Sequence, residues 1–142
     1  MLPTFLIPGA QKSGTTALRI YLSQHPDIYM VDEEIHFFCR DDRYARGIAW
    51  YTSFFDGVKG EHAVGEKTPD YLYSSKAAER IHALVPEVQL IFLLRNPVDR
   101  AYSHYWHQVR RGQEPLSFER AVERELESAR FGYIERGKYI QY

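Results

Sequence analysis

The chain has little of what marks several protein classes. A single cysteine, Cys39, among 142 residues excludes an intrachain disulfide framework. The longest apolar run, residues 90–94, is far too short to span a bilayer, and no secretory hydrophobic segment precedes the first predicted strand. The formal net charge of −1 gives no general attraction to nucleic acid or to a membrane surface. We therefore predict no nucleic-acid partner and no membrane segment in this chain, and we expect any anion site to be local.

The composition is that of a packed globular domain. Hydrophobic residues make up 44% of the chain and aromatic residues 15%, which suffices for an apolar core and argues against disorder. The length suits one domain, residues 1–142, or a piece of one. Residues 136–142 carry no glycine or proline stop signal after the final apolar side chain. We expect the N-terminal portion of a longer domain, truncated at its C-terminus, with a cytoplasmic location.

Short apolar segments alternate with amphipathic ones along the chain. Strands are predicted at residues 4–7, 27–31, 63–67 and 89–94, and helices at residues 17–25, 44–55, 77–85, 97–111 and 117–130. This alternation predicts an α/β fold, a parallel sheet flanked by helices. The strand at residues 89–94 is apolar after its first residue, so we expect it to be buried on both faces. In the last helix, Phe118, Val122 and Leu126 are expected to face inward.

The loop at residues 9–16 has the geometry of a phosphate-binding site. A strand, a glycine-bearing polar loop and a helix start follow one another there, so backbone N–H groups and the helix dipole converge. Gly9 and Gly14 have the separation of a nucleoside-triphosphate P-loop, but Thr15 stands where that motif has lysine, and the loop's lysine is Lys12. ATP hydrolysis is therefore not the first hypothesis. The alternative is a plain strand-to-helix turn whose glycines serve only the backbone.

Three cations are predicted at one edge of the sheet. Ligands of parallel α/β sheets bind beyond the carboxyl ends of the strands, and Lys12, Lys67 and Arg95 each follow or end a predicted strand. In a chain of net charge −1, this grouping indicates a ligand with more than one anionic group. The alternatives are a salt bridge from Arg95 to Asp99 or Glu66, and a plain surface role for Lys67.

The helix after Arg95 carries a polar stripe. Asp99, Ser103 and His107 are spaced by four residues and share one face. A hydroxyl at Ser103 suits a second phosphate, and His107 suits proton transfer. No histidine spacing indicates a metal site.

The best candidate for a general base is the carboxylate pair Glu33-Glu34. It precedes the apolar residues 35–38, and burial beside such a cluster disfavours the charged form, which makes a carboxylate a better proton acceptor. The alternative is an exposed acidic loop above a hydrophobic anchor.

Four stretches together resemble a known family. They are PGAQKSGTTAL (residues 8–18), EIHFF (34–38), EKTPDY (66–71) and LRNPVDRAYS (94–103). In this order they resemble the heparan sulfate N-sulfotransferases and 3-O-sulfotransferases and their bacterial relatives. The resemblance implies a P-loop-like three-layer α/β fold that binds 3′-phosphoadenosine 5′-phosphosulfate (PAPS). It also implies transfer of the sulfuryl group to an amine or hydroxyl of a sugar or glycan acceptor, with no metal; a trimmed eukaryotic member would come from the Golgi lumen.

The resemblance also implies roles for single residues. The loop residues Lys12, Ser13, Gly14, Thr15 and Thr16 match the loop around the 5′-phosphosulfate, where Lys12 would neutralise charge on the bridging oxygen. Arg95 and Ser103 match the pair that grips the 3′-phosphate. Glu34 matches the proposed base, Lys67 a lysine on the acceptor side, and His107 a histidine of the N-sulfotransferase branch. Residues 47–55 and 102–105 look more like the N-sulfotransferases, whereas Arg95 and Thr68-Pro69 look more like the O-sulfotransferases. The resemblance therefore leaves open whether the acceptor atom is the nitrogen of an amine or the oxygen of a hydroxyl.

Family members continue beyond this length, with a further strand and a second cofactor loop near the C-terminus. Nothing in this chain matches that loop, so we expect weak cofactor affinity and part of the sheet left uncovered.

Two other functions are alternatives to sulfuryl transfer. A P-loop nucleotide kinase needs a lysine beside Thr15 or Thr16 and a magnesium-binding acid after a strand, and neither is evident. A non-catalytic module that binds anionic glycans would use the same basic edge.

Overall fold

The computed structural model describes residues 1–128 and 132–139. Four parallel strands form one sheet in the order β2-β3-β1-β4. Their bounds are β1 Phe5–Gly9, β2 Ile28–Met30, β3 Ala63–Lys67 and β4 Gln89–Phe92. The predicted α/β architecture with a parallel sheet and flanking helices is confirmed.

Strand β1 lies between β3 and β4 and sets the register of the sheet. Ile7 is the partner of Lys67 in β3, and Gly9 is the partner of Phe92 in β4. The carboxyl ends of these three strands therefore lie side by side. Gly65 is required in β3, because a Cβ atom there would lie 2.2 Å from the ring of Phe5.

Six α-helices surround the sheet in the described part of the chain: α1 Thr15–Leu22, α2 Asp41–Tyr44, α3 Gly47–Thr52, α4 Ser75–Leu84, α5 Pro97–Arg110 and α6 Phe118–Glu127. Short 3₁₀ segments lie at Ser53–Phe55, Pro69–Tyr73 and Glu135–Gly137. The predicted start of α5 is correct, since the Asn96 side chain accepts from the N–H groups of Val98 and Asp99 and Pro97 follows it. The single helix predicted at residues 44–55 is divided, because Gly47 has φ 80°.

The two faces of the sheet are covered by different cores. An aromatic cluster lies on one side, where the rings of Phe37 and Tyr51 stack with their centroids 4.5 Å apart. On the other side Phe5, Ile7 and Met30 pack against α1. The sheet is thus the middle of three layers.

Among the described residues, no helix has both the length and the apolar character that a membrane crossing requires.

Strand β4 is not buried on both faces, so that prediction is wrong. Leu90, Ile91 and Phe92 are 45%, 37% and 48% exposed. The reason is position: β4 lies at the edge of the sheet that the described residues form, with β1 as its neighbour. An apolar run alone does not show how many layers cover it.

The inward face of α6 also differs from the prediction. Leu126 is 74% exposed, whereas Ala121 and Glu125 are buried. The Glu125 carboxylate accepts hydrogen bonds from the backbone N–H groups of Ile134 and Glu135 at 2.9 and 3.1 Å. A polar side chain is therefore directed inward because it anchors residues 132–139. The predicted helix end at Arg130 falls within residues 129–131, outside the described residues.

Candidate functional site

A polar cleft of about 440 Å³ opens at the carboxyl edge of the sheet. Its lining residues come from the loop after β1 with the start of α1, the segment after β2, the 3₁₀ segment after β3, the loop after β4, and α5 with its C-cap: Gln11, Lys12, Gly14, Thr15, Thr16, Glu34, Pro69, Arg95, Ser103, His107 and Arg111. The predicted residues are thereby brought together, with two differences of detail. Ser13 belongs to the loop, but its hydroxyl is buried and does not line the cleft. Lys67 does not line the cleft either, and its ammonium contacts the site through Glu34 and Thr16.

The loop between β1 and α1 curls around the cleft. Lys12 and Gly14 both have left-handed backbones, with φ of 67° and 97°, and Gly14 is the N-cap of α1 without a capping side chain. The first N–H groups of α1 have no acceptor within the helix and meet the cleft at Thr15 and Thr16. The buried Ser13 hydroxyl has no hydrogen-bond partner among residues 1–128 and 132–139. Open backbone donors, a helix N-terminus and a lysine together fit an anionic phosphate-type ligand.

Arg95 lies beside this loop. Its guanidinium donates a hydrogen bond to the Lys12 carbonyl at 3.3 Å. The alternative of a salt bridge to Asp99 or Glu66 is wrong, because neither pair forms within the described residues and the Glu66 carboxylate is fully buried elsewhere. Burial lowers the pKa of the Lys12 ammonium, and the nearby charges of Arg110 and Arg95 lower it further. Clustered cations of this kind favour binding of an anion that relieves their repulsion.

Helix α5 supplies the opposite wall of the cleft. Ser103, His107 and Arg111 follow at four-residue intervals and all line it. Burial lowers the pKa of His107, and the nearby charges of Lys12 and Arg111 lower it further, which favours the neutral imidazole. Arg111 was missed by the sequence reasoning, although the same i, i+4 spacing that selected Ser103 and His107 reaches it.

Glu34 and Lys67 form an ion pair at the floor of the cleft. The Lys67 ammonium donates to Glu34 Oε1 at 2.5 Å and to the Thr16 hydroxyl at 3.4 Å. Lys67 is 4% exposed, so the alternative of a plain surface lysine is wrong. His36 contacts the other carboxylate oxygen of Glu34, with Nε2 3.4 Å from Oε2. Glu34 thus lies between two cations and not in a free acidic loop.

This arrangement overturns the expected pKa of Glu34. Burial does act to raise its pKa, but hydrogen bonds from His36 and Lys67 outweigh burial and hold it at about 2. Conversely, contacts with Cys39 and Glu34 raise the pKa of His36 to about 9, so the imidazole is charged at pH 7. The apolar residues 35–38 were expected to decide the basicity of Glu34; its charged neighbours decide it instead.

A buried network holds the Glu34 loop in place, and sequence reasoning missed it. The Glu66 carboxylate, 0% exposed, accepts hydrogen bonds from Tyr51, Thr68 and Tyr71 at 2.8, 2.9 and 2.9 Å. The hydroxyls of Thr68 and Tyr71 in turn accept from the backbone N–H groups of His36 and Phe37. Burial raises the pKa of Glu66 to about 7, against these hydrogen bonds. Glu66, Thr68 and Tyr71 are close in sequence, but Tyr51, His36 and Phe37 join the network only through the fold.

The fold and the cleft define an α/β protein with a P-loop-like site for a ligand that carries several anionic groups. No group of histidine, cysteine, aspartate and glutamate side chains among the described residues is arranged to hold a metal ion. The donor groups are instead backbone N–H groups, hydroxyls and cationic side chains.

Comparison with known proteins identifies the family. The sulfotransferase domain family matches residues 2–141. The chain therefore belongs to this family, as the sequence resemblance predicted, and sulfotransferases of this kind use PAPS as the sulfuryl donor.

Two similar human proteins are heparan sulfate glucosamine 3-O-sulfotransferase 6, 45% identical over 103 residues, and bifunctional heparan sulfate N-deacetylase/N-sulfotransferase 3, 43% identical over 115 residues. These matches cover 72% and 75% of this chain, but only 30% and 13% of the relatives. A crystal structure of a sulfotransferase from Alicyclobacillus acidocaldarius is 40% identical, with a TM-score of 0.84 over 98% of this chain and 63% of that chain. The chain thus spans less than two thirds of the proteins it matches here.

Proposed function

We propose that residues 1–142 form the donor-binding and base-bearing part of a PAPS-dependent sulfotransferase that acts on an amine or hydroxyl of a glycan. One observation carries the proposal: a single cleft joins the phosphate loop, Glu34, Arg95 and the α5 stripe, which lie far apart in sequence. PAPS supplies an activated sulfuryl group on a phosphosulfate anhydride. The residues around the cleft supply binding, orientation and proton transfer.

On the donor side, positive charge is fixed before any ligand arrives. Lys12 and the open N–H groups of α1 suit the 5′-phosphosulfate, and Arg95 and Ser103 suit the 3′-phosphate. Sulfuryl transfer, like phosphoryl transfer, spreads charge onto the leaving oxygen, and preorganised cations stabilise such a transition state without reorganising. Lys12 lies within the loop that would hold this oxygen and lines the cleft.

On the acceptor side, Glu34 takes the proton of the attacking amine or hydroxyl. A carboxylate with a pKa of about 2 is a weak base, so its cationic partners matter. Lys67 lies between Glu34 and Thr16 of the phosphate loop. In the proposal, an anion bound at the loop draws Lys67 toward Thr16, which weakens its pairing with Glu34 and raises the basicity of that carboxylate when the donor is present. His107 lines the cleft as well and is the second candidate for proton transfer.

A glycan acceptor is the finer part of the proposal. It is supported by the relatives whose names specify heparan sulfate, from both the N- and the 3-O-sulfotransferases. Identities of 43% and 45% to the two groups favour neither acceptor atom. A cytoplasmic location belongs to the same proposal and is supported by the bacterial origin of the structural relative.

The experiment is a calorimetric titration of the chain with adenosine 3′,5′-bisphosphate. Binding is expected, with competition by PAPS and weak or no response to ATP with magnesium. Lys12→Ala is the test variant and Lys59→Ala, which removes an exposed lysine elsewhere, is the matched control. A preference for ATP with magnesium would support a kinase, and binding of heparin oligosaccharides without any effect of the bisphosphate would support a non-catalytic glycan module. Either result would overturn the proposal.

A further inference from the structure

Five side chains of alternating charge contact one another in a series that starts and ends at the phosphate loop. From Gln11 it runs through Arg136, Asp70, His36, Glu34 and Lys67 back to Thr16. The half from Glu34 to Thr16 belongs to the site described above. The remaining contacts lie outside the cleft and run through Arg136, which is not among the residues that line the cleft.

Arg136 joins two parts of the site directly. Its NH1 group donates to Gln11 Oε1 at 2.9 Å and to Asp70 Oδ1 at 2.7 Å. The guanidinium also lies over the ring of Tyr73, 4.9 Å from its centroid. Gln11 lies in the phosphate loop, and Asp70 lies in the 3₁₀ segment that follows β3. One cation from residues 132–139 therefore contacts both the donor side and the acceptor side.

Asp70 passes this contact to His36. Its Oδ1 atom faces Arg136, and its Oδ2 atom lies 3.6 Å from His36 Nδ1. His36 has a left-handed backbone, φ 53°, which turns its ring between Asp70 and Glu34. The ionisable groups that act on His36 are Glu34, Cys39, Asp70 and the buried Glu66. Of these acids, Asp70 is the one that Arg136 holds.

Residues 132–139 have other anchors, so Arg136 is not needed to attach them. Arg100 donates to the carbonyl of Gly132 at 3.1 Å, and Glu125 accepts from two backbone N–H groups. Tyr139 donates to the carbonyl of Arg95 at 3.0 Å. The contacts of the Arg136 guanidinium are thus separable from the packing of the segment that carries it.

We propose that Arg136 is a positioning residue of the acceptor side, which fixes Asp70 against His36 and thereby orients His36 on the Glu34 carboxylate. The inference rests on the proposed function, in which Glu34 takes the acceptor proton. Arg136 acts through Asp70 and touches neither the donor nor the acceptor. Its contact with Gln11 ties the same guanidinium to the donor loop.

The first test measures the pKa of His36 by NMR titration of the histidine ring protons, with His36→Gln to assign the signal. Without Arg136, the one-third exposed Asp70 turns to water and His36 loses an anionic partner. We expect Arg136→Gln and Asp70→Asn each to lower the pKa of His36, and the double variant to lower it no further than Asp70→Asn. Arg120→Gln removes an exposed arginine on α6 and is the control, with no change expected.

The second test is kinetic. Arg136→Gln is expected to lower kcat about tenfold, which is the effect of losing one charged hydrogen bond. The KM for PAPS and the affinity for adenosine 3′,5′-bisphosphate should stay within about threefold, because backbone hydrogen bonds donated by Ala10 and Ser13 still hold the loop. Arg136→Lys keeps the charge and is expected to recover part of kcat and part of the His36 pKa. If Arg136→Gln does not fold, Arg136→Lys decides by the same measurements, with smaller losses expected.

An unchanged or raised pKa of His36 in folded Arg136→Gln, or a kcat equal to that of Arg120→Gln, overturns the inference. Independent effects of Arg136→Gln and Asp70→Asn that add in the double variant also overturn it. The proposed function fails separately, by the absence of bisphosphate binding in the unaltered chain. In that case the NMR titration still decides whether Arg136 positions Asp70 and His36.

Discussion

Lys67 donates a hydrogen bond of 2.5 Å to Glu34, although 33 residues separate them. The contact joins the end of a central strand to the loop after the short strand at the sheet's edge. It contributes to the low pKa of Glu34, and it places a buried cation between this carboxylate and Thr16 of the phosphate loop.

Glu34→Gln keeps the shape of the side chain but removes the proton acceptor. We expect turnover to fall at least a hundredfold, within the range for loss of a general base, while the affinity for adenosine 3′,5′-bisphosphate changes little. Steady-state kinetics and calorimetry measure the two. Glu33→Gln, the neighbouring carboxylate, is the matched control and should keep turnover within about twofold. Near-normal turnover in Glu34→Gln would make the base assignment wrong.

Lys12→Ala removes the loop's own cation. Loss of a charged contact to a bound anion costs about 1.5–3 kcal/mol, which corresponds to a loss of affinity for adenosine 3′,5′-bisphosphate of about tenfold or more. Turnover should fall by a larger factor, because the leaving oxygen gains charge only in the transition state. If both affinity and turnover match those of Lys59→Ala, Lys12 has no role at the donor.

Glu66 makes the stability of the fold depend on pH. Its folded pKa of about 7 exceeds the ordinary value of 4.5, so the folded state binds the extra proton and stability falls as pH rises from about 4.5 to 7. A shift of this size corresponds to about 3 kcal/mol across that window. Glu66→Gln should remove this part of the slope in denaturant titrations at several pH values. An equal slope in both proteins would contradict a raised pKa.

The edge strand β4 should promote self-association. Three neighbouring apolar side chains on it are more than a third exposed, and an unpaired strand edge is a template for another chain. We expect Ile91→Lys to reduce concentration-dependent association in sedimentation velocity and to lower the free energy of unfolding by less than about 1 kcal/mol. Leu126→Lys, which replaces a more exposed apolar side chain on a helix, is the comparison and should leave association unchanged.

The elements that rest on local signals could be predicted from sequence. The phosphate loop, the start of α5 at Asn96 and the parallel sheet all depend on residues close together in the chain or on apolar periodicity. The four motifs also located the cleft, because parallel strands end at one edge. The predictions that were wrong concern features that depend on packing between layers of the fold and on residues distant in the sequence. The exposure of β4 depends on what lies beside it in space, and the inward Glu125 depends on backbone donors from residues 132–139.

Long-range polar contacts explain the rest of the difference. Spacing identified Glu34 and Lys67 singly, but only the fold brings them together, and the pKa of Glu34 follows from that contact. The motif at residues 66–71 included Glu66 but did not reveal its buried network, and Arg136 was not found, since a buried carboxylate among hydroxyls and a bridging guanidinium have no sequence pattern. Arg111 is the exception: the α5 stripe already pointed to it.

Helix α5 also fixes a length. Ser103 and His107 lie in the helix and Arg111 is its C-cap residue, and each step of four residues advances about 6 Å along the axis. The separation between the two ends of the cleft on this wall is therefore set by the hydrogen-bonded pitch of the helix. Exchanging the side chain at position 111 would therefore reshape one end of this wall and leave the position of Ser103 at the other end unchanged.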